Sequence, residues 1–74
     1  MNRAMLRRHL VLAERHVASG EETITLQKAL ILKLERGGHD VGTACTLLDL
    51  FEQVQAIFVK HRDWLAKRLA EHLR

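Results

Sequence analysis

The 74-residue sequence contains no proline and only four glycines, so little in it interrupts a helix. Its only aromatic residues are Phe51, Phe58 and Trp64, which leaves no stacking platform for nucleic-acid bases. The single cysteine, Cys45, excludes an internal disulfide and fits a reducing compartment. No apolar run approaches the roughly 18–20 residues that a membrane span needs. These absences predict a nearly all-helical protein and a cytoplasmic location.

Two stretches of helical periodicity occupy the chain, with mostly small or apolar residues at alternating spacings of three and four. The first comprises Leu6, Leu10, Ala13, Val17, Gly20, Ile24, Gln27, Ile31 and Leu34. The second comprises Ala44, Leu47, Phe51, Val54, Phe58, His61, Leu65, Arg68 and His72. We therefore expect a single all-α domain over residues 1–74, folded as a hairpin of two long antiparallel helices at about 3–37 and about 41–73.

The segment 37–40 has the composition of a turn between these helices. Gly37 or Gly38 can take the left-handed conformation that ends the first helix. Asp40 can cap the second helix by accepting a hydrogen bond from the amide of Gly42 or Thr43. Earlier in the chain, Ser19 and Glu22 form a possible capping box that would start a new helix there. The periodicity continues through Gly20 without a shift, which favours one continuous helix, with a kink at this point left open.

Both helices carry large apolar residues outside these stripes, more than a monomeric hairpin buries. Pairing of two hairpins into a dimeric four-helix bundle would cover them, so we predict a homodimer. The predicted contact residues are Leu47, Leu48, Phe51, Val54, Ile57, Phe58, Trp64 and Leu65. A domain-swapped pair, with the helices continuing straight through Gly37 and Gly38, remains an alternative. Scattered surface leucines are the simpler alternative.

Positive charge is concentrated towards both ends of the chain. Residues 1–18 and 56–74 each carry a net charge of +3, and residues 19–55 carry −3. A hairpin brings the two basic ends together, which suggests an anionic partner, and nucleic acid is one candidate. The residues concerned are Arg3, Arg7, Arg8, Lys67 and Arg68. The alternative is a solvated basic end, since the sequence has no DNA-binding motif.

Five histidines raise the question of metal binding. His16 and His61 should lie level across the hairpin, but the close pairs of ligands that metal sites on helices use are absent. The expectation is therefore no metal and no cofactor, with His16 and His61 as weak candidates. No grouping of nucleophile, base and third residue points to an enzyme either, since Ser19 and His16 form only a local helix contact.

Several short motifs resemble a group of small alphaproteobacterial proteins of the rhizobial type that has no assigned function. They are Ala13-Glu14-Arg15-His16-Val17 with Gly20-Glu21, Gly38-His39-Asp40, Leu47-Leu48 with Phe51-Glu52 and Gln55, and His61-Arg62-Asp63. The resemblance covers about residues 6–70 and implies a short helical protein. That group often has histidine where this chain has Thr23 and Phe58, which further weakens a metal site. Together, these features predict a non-catalytic, self-associating protein-interaction module.

Overall fold

The computed structural model describes residues 2–73 and consists of two helices joined by a short turn. Helix α1 spans Arg3–Arg36 and helix α2 spans Gly42–His72. They pack antiparallel against each other along their length, and the hairpin measures 56 × 14 × 14 Å. The predicted all-α hairpin is confirmed, and both helices begin and end within one residue of the expected positions. Neither described helix contains a stretch apolar enough to cross a membrane.

Local hydrogen bonds define the ends of both helices. The Asn2 side chain accepts a hydrogen bond from the amide of Met5 at 2.8 Å and begins α1. At the other end, Gly38 has φ +73°, the left-handed conformation that glycine adopts without strain. The amides of Gly38 and His39 donate to the carbonyls of Glu35 and Leu34, the pattern of a Schellman motif. The expected glycine stop is therefore present, at Gly38.

The aspartate that the sequence singled out lies two residues before the second helix. Asp40 Oδ1 accepts from the amide of Gly42 at 2.9 Å, which satisfies one of the free amides at the start of α2. The backbone then closes its first helical bond from Cys45 to the carbonyl of Val41 at 2.8 Å. The turn over residues 37–40 thus behaves as predicted.

Helix α1 continues through Ser19 and Gly20 without a break. The side chain of Gln55 on α2 lies directly against Gly20, where a Cβ atom would come within 2.6 Å of Gln55 Cδ. Gly20 is thus a point of close approach between the two helices. The continuous helix is confirmed, and the capping box at Ser19 and Glu22 does not begin a new helix.

The core lies along the stripe predicted for α1. Leu6, Ala13, Val17 and Ile31 are buried there. Leu65 of α2 is fully buried and packs with Leu6 and Ala13, at the end of the hairpin away from the turn. Near the turn, Ala44 is the buried residue of α2. The core is thin, as expected for two helices in contact along one side only.

On α2 the predicted stripe was half wrong. Four of its members, Ala44, Phe51, Phe58 and Leu65, do face α1. The remaining five are exposed: Leu47, Val54, His61, Arg68 and His72. The positions that complete the contact lie one residue later in the first four cases: Leu48, Gln55, Arg62 and Leu69. Hydropathy does not distinguish Leu47 from Leu48, and it misleads at the next step because Val54 is more apolar than Gln55.

Two glutamines fix the register of the helices. Gln27 on α1 donates to the carbonyl of Ala44 on α2, and Gln55 on α2 donates to the carbonyl of Val17 on α1, both at 2.9 Å. Both bonds are partly buried, where a hydrogen bond excludes alternative pairings more strongly than apolar contacts do. They also define the level of each residue along the hairpin, with Val17 near Gln55 and Gln27 near Ala44.

Candidate functional site

The most distinctive surface of the hairpin is a shallow groove between the helices on one face. It has two sections of about 330 Å³ each, which share His16 and Phe58. The section towards the turn is bordered by Ser19 and Thr23 on α1 and by Leu50 and Val54 on α2. The section towards the open end of the hairpin is lined by His9, Leu12, Ala13, Ile57 and His61, besides the two shared residues.

Helical spacing extends this groove into a continuous surface, which we call the apolar face. On α1 it contains Met5, His9, Leu12, His16, Ser19, Thr23, Leu26 and Leu30, separated by alternating steps of four and three. On α2 it contains Leu47, Leu50, Val54, Ile57, His61 and Trp64, with the same alternation. Residues at such spacing lie on one side of a helix. Each stripe lies immediately beside the stripe that forms the core.

Most of the exposed large apolar side chains of the described chain belong to this face. Of the twelve such residues, nine are on it: Met5, Leu12, Leu26, Leu30, Leu47, Leu50, Val54, Ile57 and Trp64. Leu26 and Ile57 are the most exposed, at 64% and 65%. The three others, Val11, Leu32 and Leu73, lie elsewhere on the helices. Monomeric soluble proteins rarely expose a contiguous apolar surface of this kind.

Aromatic contacts order the side chains along the apolar face. The rings of His16 and Phe58 lie 5.2 Å apart between their centroids and join the two helices in the floor of the groove. Trp64 stacks nearly parallel to His61 at 6.4 Å, and the guanidinium of Arg68 lies 5.1 Å from the Trp64 ring centroid. Side chains held in this way lose less conformational entropy when a partner covers them.

The predicted contact residues divide into three groups. Leu47, Val54, Ile57 and Trp64 are exposed on the apolar face. Leu48, Phe51 and Phe58 are half-buried between the helices, and the two phenylalanines line the groove. Leu65 has no exposed surface, so it is a core residue of the hairpin and is not available to a partner.

The prediction omitted Met5, Leu12, Leu26, Leu30 and Leu50, which contribute to the same face. Their signal was present in the sequence as a second stripe at helical spacing on each helix, displaced by one residue from the stripe that faces the other helix. Only the observed packing of α1 against α2 shows that both helices direct these second stripes to the same side of the hairpin.

The predicted basic residues all lie at the open end of the hairpin, but they do not form one site. Arg3, Arg7 and Arg8 line a surface depression on α1. Arg68 lines a different one, with Trp64 and Glu71 among its neighbours, and Lys67 lines neither. All five side chains are exposed. The arrangement provides a diffuse positive surface and no pocket shaped for a single anion.

The two candidate metal ligands do lie near each other. His16 and His61 both border the section of the groove towards the open end. However, no three histidine, cysteine, aspartate or glutamate side chains among residues 2–73 come together in a way that could hold a metal ion. Zinc requires three or four converging ligands, so this pair lacks a ligand set.

Comparison with known proteins adds no relative: no family model, no curated protein and no solved structure matches the chain. The resemblance to the rhizobial-type group therefore stays a prediction.

Proposed function

We propose that this protein is a non-catalytic interaction module that self-associates through the apolar face into a four-helix bundle. The observation that carries the proposal is the concentration of exposed large apolar side chains on one side of the hairpin. Each of these side chains is 38–65% exposed in the hairpin, so covering the remainder contributes about half of the 1.5–3 kcal/mol gained by burying a whole side chain. Several of them together exceed the roughly 4–15 kcal/mol that association costs in lost freedom of motion.

The size of the hairpin is compatible with such an assembly. One face of a body 56 Å long and 14 Å wide covers about 800 Å², which is close to the area that one partner buries in a stable complex. The core of a single hairpin is thin, and a second layer of helices is the usual way in which a short helical chain gains burial.

The test compares two double variants by sedimentation equilibrium over a range of protein concentrations. The first, Leu26→Glu with Ile57→Glu, places two charges on the apolar face. The control, Val11→Glu with Leu32→Glu, changes the net charge equally at exposed positions outside that face. We expect wild type and control to show twice the chain mass and the first variant to be monomeric, with helical circular dichroism retained in all three. A monomeric wild type, or a dimeric first variant, would contradict the proposal.

A second candidate function, weaker in support, is binding of an anionic polymer at the open end. Three arginines in the first turns of α1 favour this function: Arg3, Arg7 and Arg8. Positive charge at the start of a helix opposes the helix dipole, so the helix itself gives no reason for them to be there. Fluorescence anisotropy with a short DNA duplex tests it. Binding through these residues should fall steeply with salt and weaken in Arg7→Gln with Arg8→Gln. The control Arg36→Gln, near the turn, should leave binding unchanged. Equal loss in both variants would argue against a site at the open end.

A further inference from the structure

The orientation of the second copy can be derived from the distribution of charge along the hairpin, given the self-association proposed above. The apolar face extends from Met5 to Leu30 on α1 and from Leu47 to Trp64 on α2. Its middle therefore lies between His16 and Ser19 on α1 and between Val54 and Ile57 on α2, close to the middle of the hairpin. Face-to-face pairing by two-fold symmetry then allows two arrangements. In one, both turns lie at the same end of the bundle. In the other, they lie at opposite ends.

Charge distinguishes these arrangements. The open half of the hairpin is basic, and the half that contains the turn is net negative, with Glu21, Glu22, Glu35, Asp40, Asp49 and Glu52 against Lys28, Lys33 and Arg36. The parallel arrangement places the two basic ends of the bundle beside each other. It also stacks α1 on α2 of the second copy, so that Arg7 lies level with another copy's Lys67. Like charges at such positions oppose association and discriminate against a pairing.

The antiparallel arrangement instead stacks α1 on α1 and α2 on α2, in opposite directions. The basic residues of the open end, Arg3, Arg7 and Arg8 on α1 and Lys67 and Arg68 on α2, then lie level with the turn half of the second copy, residues 19–55, whose net charge is −3. Each basic end thus covers the acidic half of its partner. Opposite charges around an apolar contact mainly determine how the two partners are oriented relative to each other.

We propose that two copies of this chain pair antiparallel through the apolar face, with the open end of each hairpin against the turn half of the other. In this arrangement His16, Ser19 and Thr23 of one α1 approach the same residues of the other copy around the two-fold axis. The small side chains of Ser19 and Thr23 permit a close approach of the two backbones at that point. The two α1 helices overlap over nearly their whole length, because the two-fold axis lies close to the midpoint of α1.

Intermolecular distances test this orientation. Cys45→Ser removes the natural thiol, and single cysteines are then introduced at exposed positions outside the apolar face, as Glu35→Cys near the turn or Ala70→Cys near the open end. At a rise of about 1.5 Å per residue, the two Glu35 positions of the antiparallel dimer are about 45–50 Å apart, and so are the two Ala70 positions. A mixed dimer labelled at Glu35 on one copy and at Ala70 on the other brings the labels within about 25 Å, because their levels then nearly coincide.

Energy transfer between dyes at these positions gives three clear outcomes, after the mass of each labelled sample has been measured by sedimentation. Strong transfer in the mixed dimer and weak transfer in both homotypic dimers is the expected result. A dimer with strong homotypic and weak mixed transfer would overturn the antiparallel orientation and leave self-association intact. A monomeric sample without transfer would overturn self-association itself, and the orientation with it.

Discussion

The contact between Gly20 and Gln55 makes a quantitative prediction about how the helices fit together. Glycine inside a helix normally costs about 1 kcal/mol relative to alanine, so Gly20→Ala should stabilise an isolated helix by that amount. In this hairpin the new methyl group meets the end of the Gln55 side chain. Gln55 can move aside only by giving up its 2.9 Å hydrogen bond to the carbonyl of Val17, a loss of about 1 kcal/mol.

These two effects are of similar size and opposite sign. We therefore expect Gly20→Ala to change the free energy of unfolding by less than about 0.5 kcal/mol, because the gain in helix propensity offsets the lost hydrogen bond. In a Gln55→Ala background the obstruction is absent, and the same substitution should stabilise by about 1 kcal/mol. The double-mutant cycle should thus give a coupling energy of about 1 kcal/mol between the two positions.

The four proteins of this cycle are compared by urea unfolding, followed by circular dichroism at one fixed protein concentration, since self-association would otherwise shift the midpoints. Ala18→Gly serves as the control, because Ala18 is an exposed neighbour of Gly20 in the same helix. It should cost about 1 kcal/mol in both backgrounds and show no coupling. If Gly20→Ala stabilises equally with and without Gln55, the reasoning is refuted, because the glutamine would not then occupy the space beside the glycine.

The remaining predictions concern the core, the turn and the assembly. Leu65→Ala removes a fully buried side chain and should cost 2–5 kcal/mol in thermal or urea unfolding, whereas Leu32→Ala at an exposed site should cost less than about 1 kcal/mol. Gly38→Ala, at φ +73°, should destabilise by about 1–2 kcal/mol, and Gly38→Asn by less; equal stability of both with wild type would contradict the assigned turn. Phe58→Ala and Trp64→Ala should weaken the dimer and lower Tm, and an unchanged oligomer in sedimentation would remove both from the contact.

The fold was predictable from the sequence because each of its parts has a local signal. The spacing from Leu6 to Leu34 defines the core side of α1, and the structure confirms it. The turn required only a glycine that tolerates positive φ and an aspartate that caps the next helix, which are Gly38 and Asp40. Even Ser19 and Gly20 were interpreted correctly, because a real break would have shifted the periodicity on its far side.

The candidate site was less accessible to prediction, since it depends on how two stripes combine. Helix α2 has two adjacent apolar stripes. Hydropathy alone does not distinguish Leu47 from Leu48 for the contact with α1, and it selects Val54 over Gln55. The observed choice follows from a shape that no periodicity encodes, namely the space that Gly20 leaves for the Gln55 side chain. The side-chain amides of Gln27 and Gln55, which donate to the backbone of the opposite helix, further fix this pairing.

The polar residues chosen for the hairpin contact bear directly on the proposed assembly. A hairpin that functioned alone would bury its most apolar stripe against α1 and expose Gln55 and Arg62 to water. Here Gln55 and Arg62 are both half-buried, while five large apolar residues stay exposed on the apolar face: Leu47, Leu50, Val54, Ile57 and Trp64. A monomer with this arrangement buries less apolar surface than its sequence would allow. A second surface that covers the apolar face would supply this burial, which is the reason for proposing a partner of complementary shape and, along the hairpin, of reversed charge.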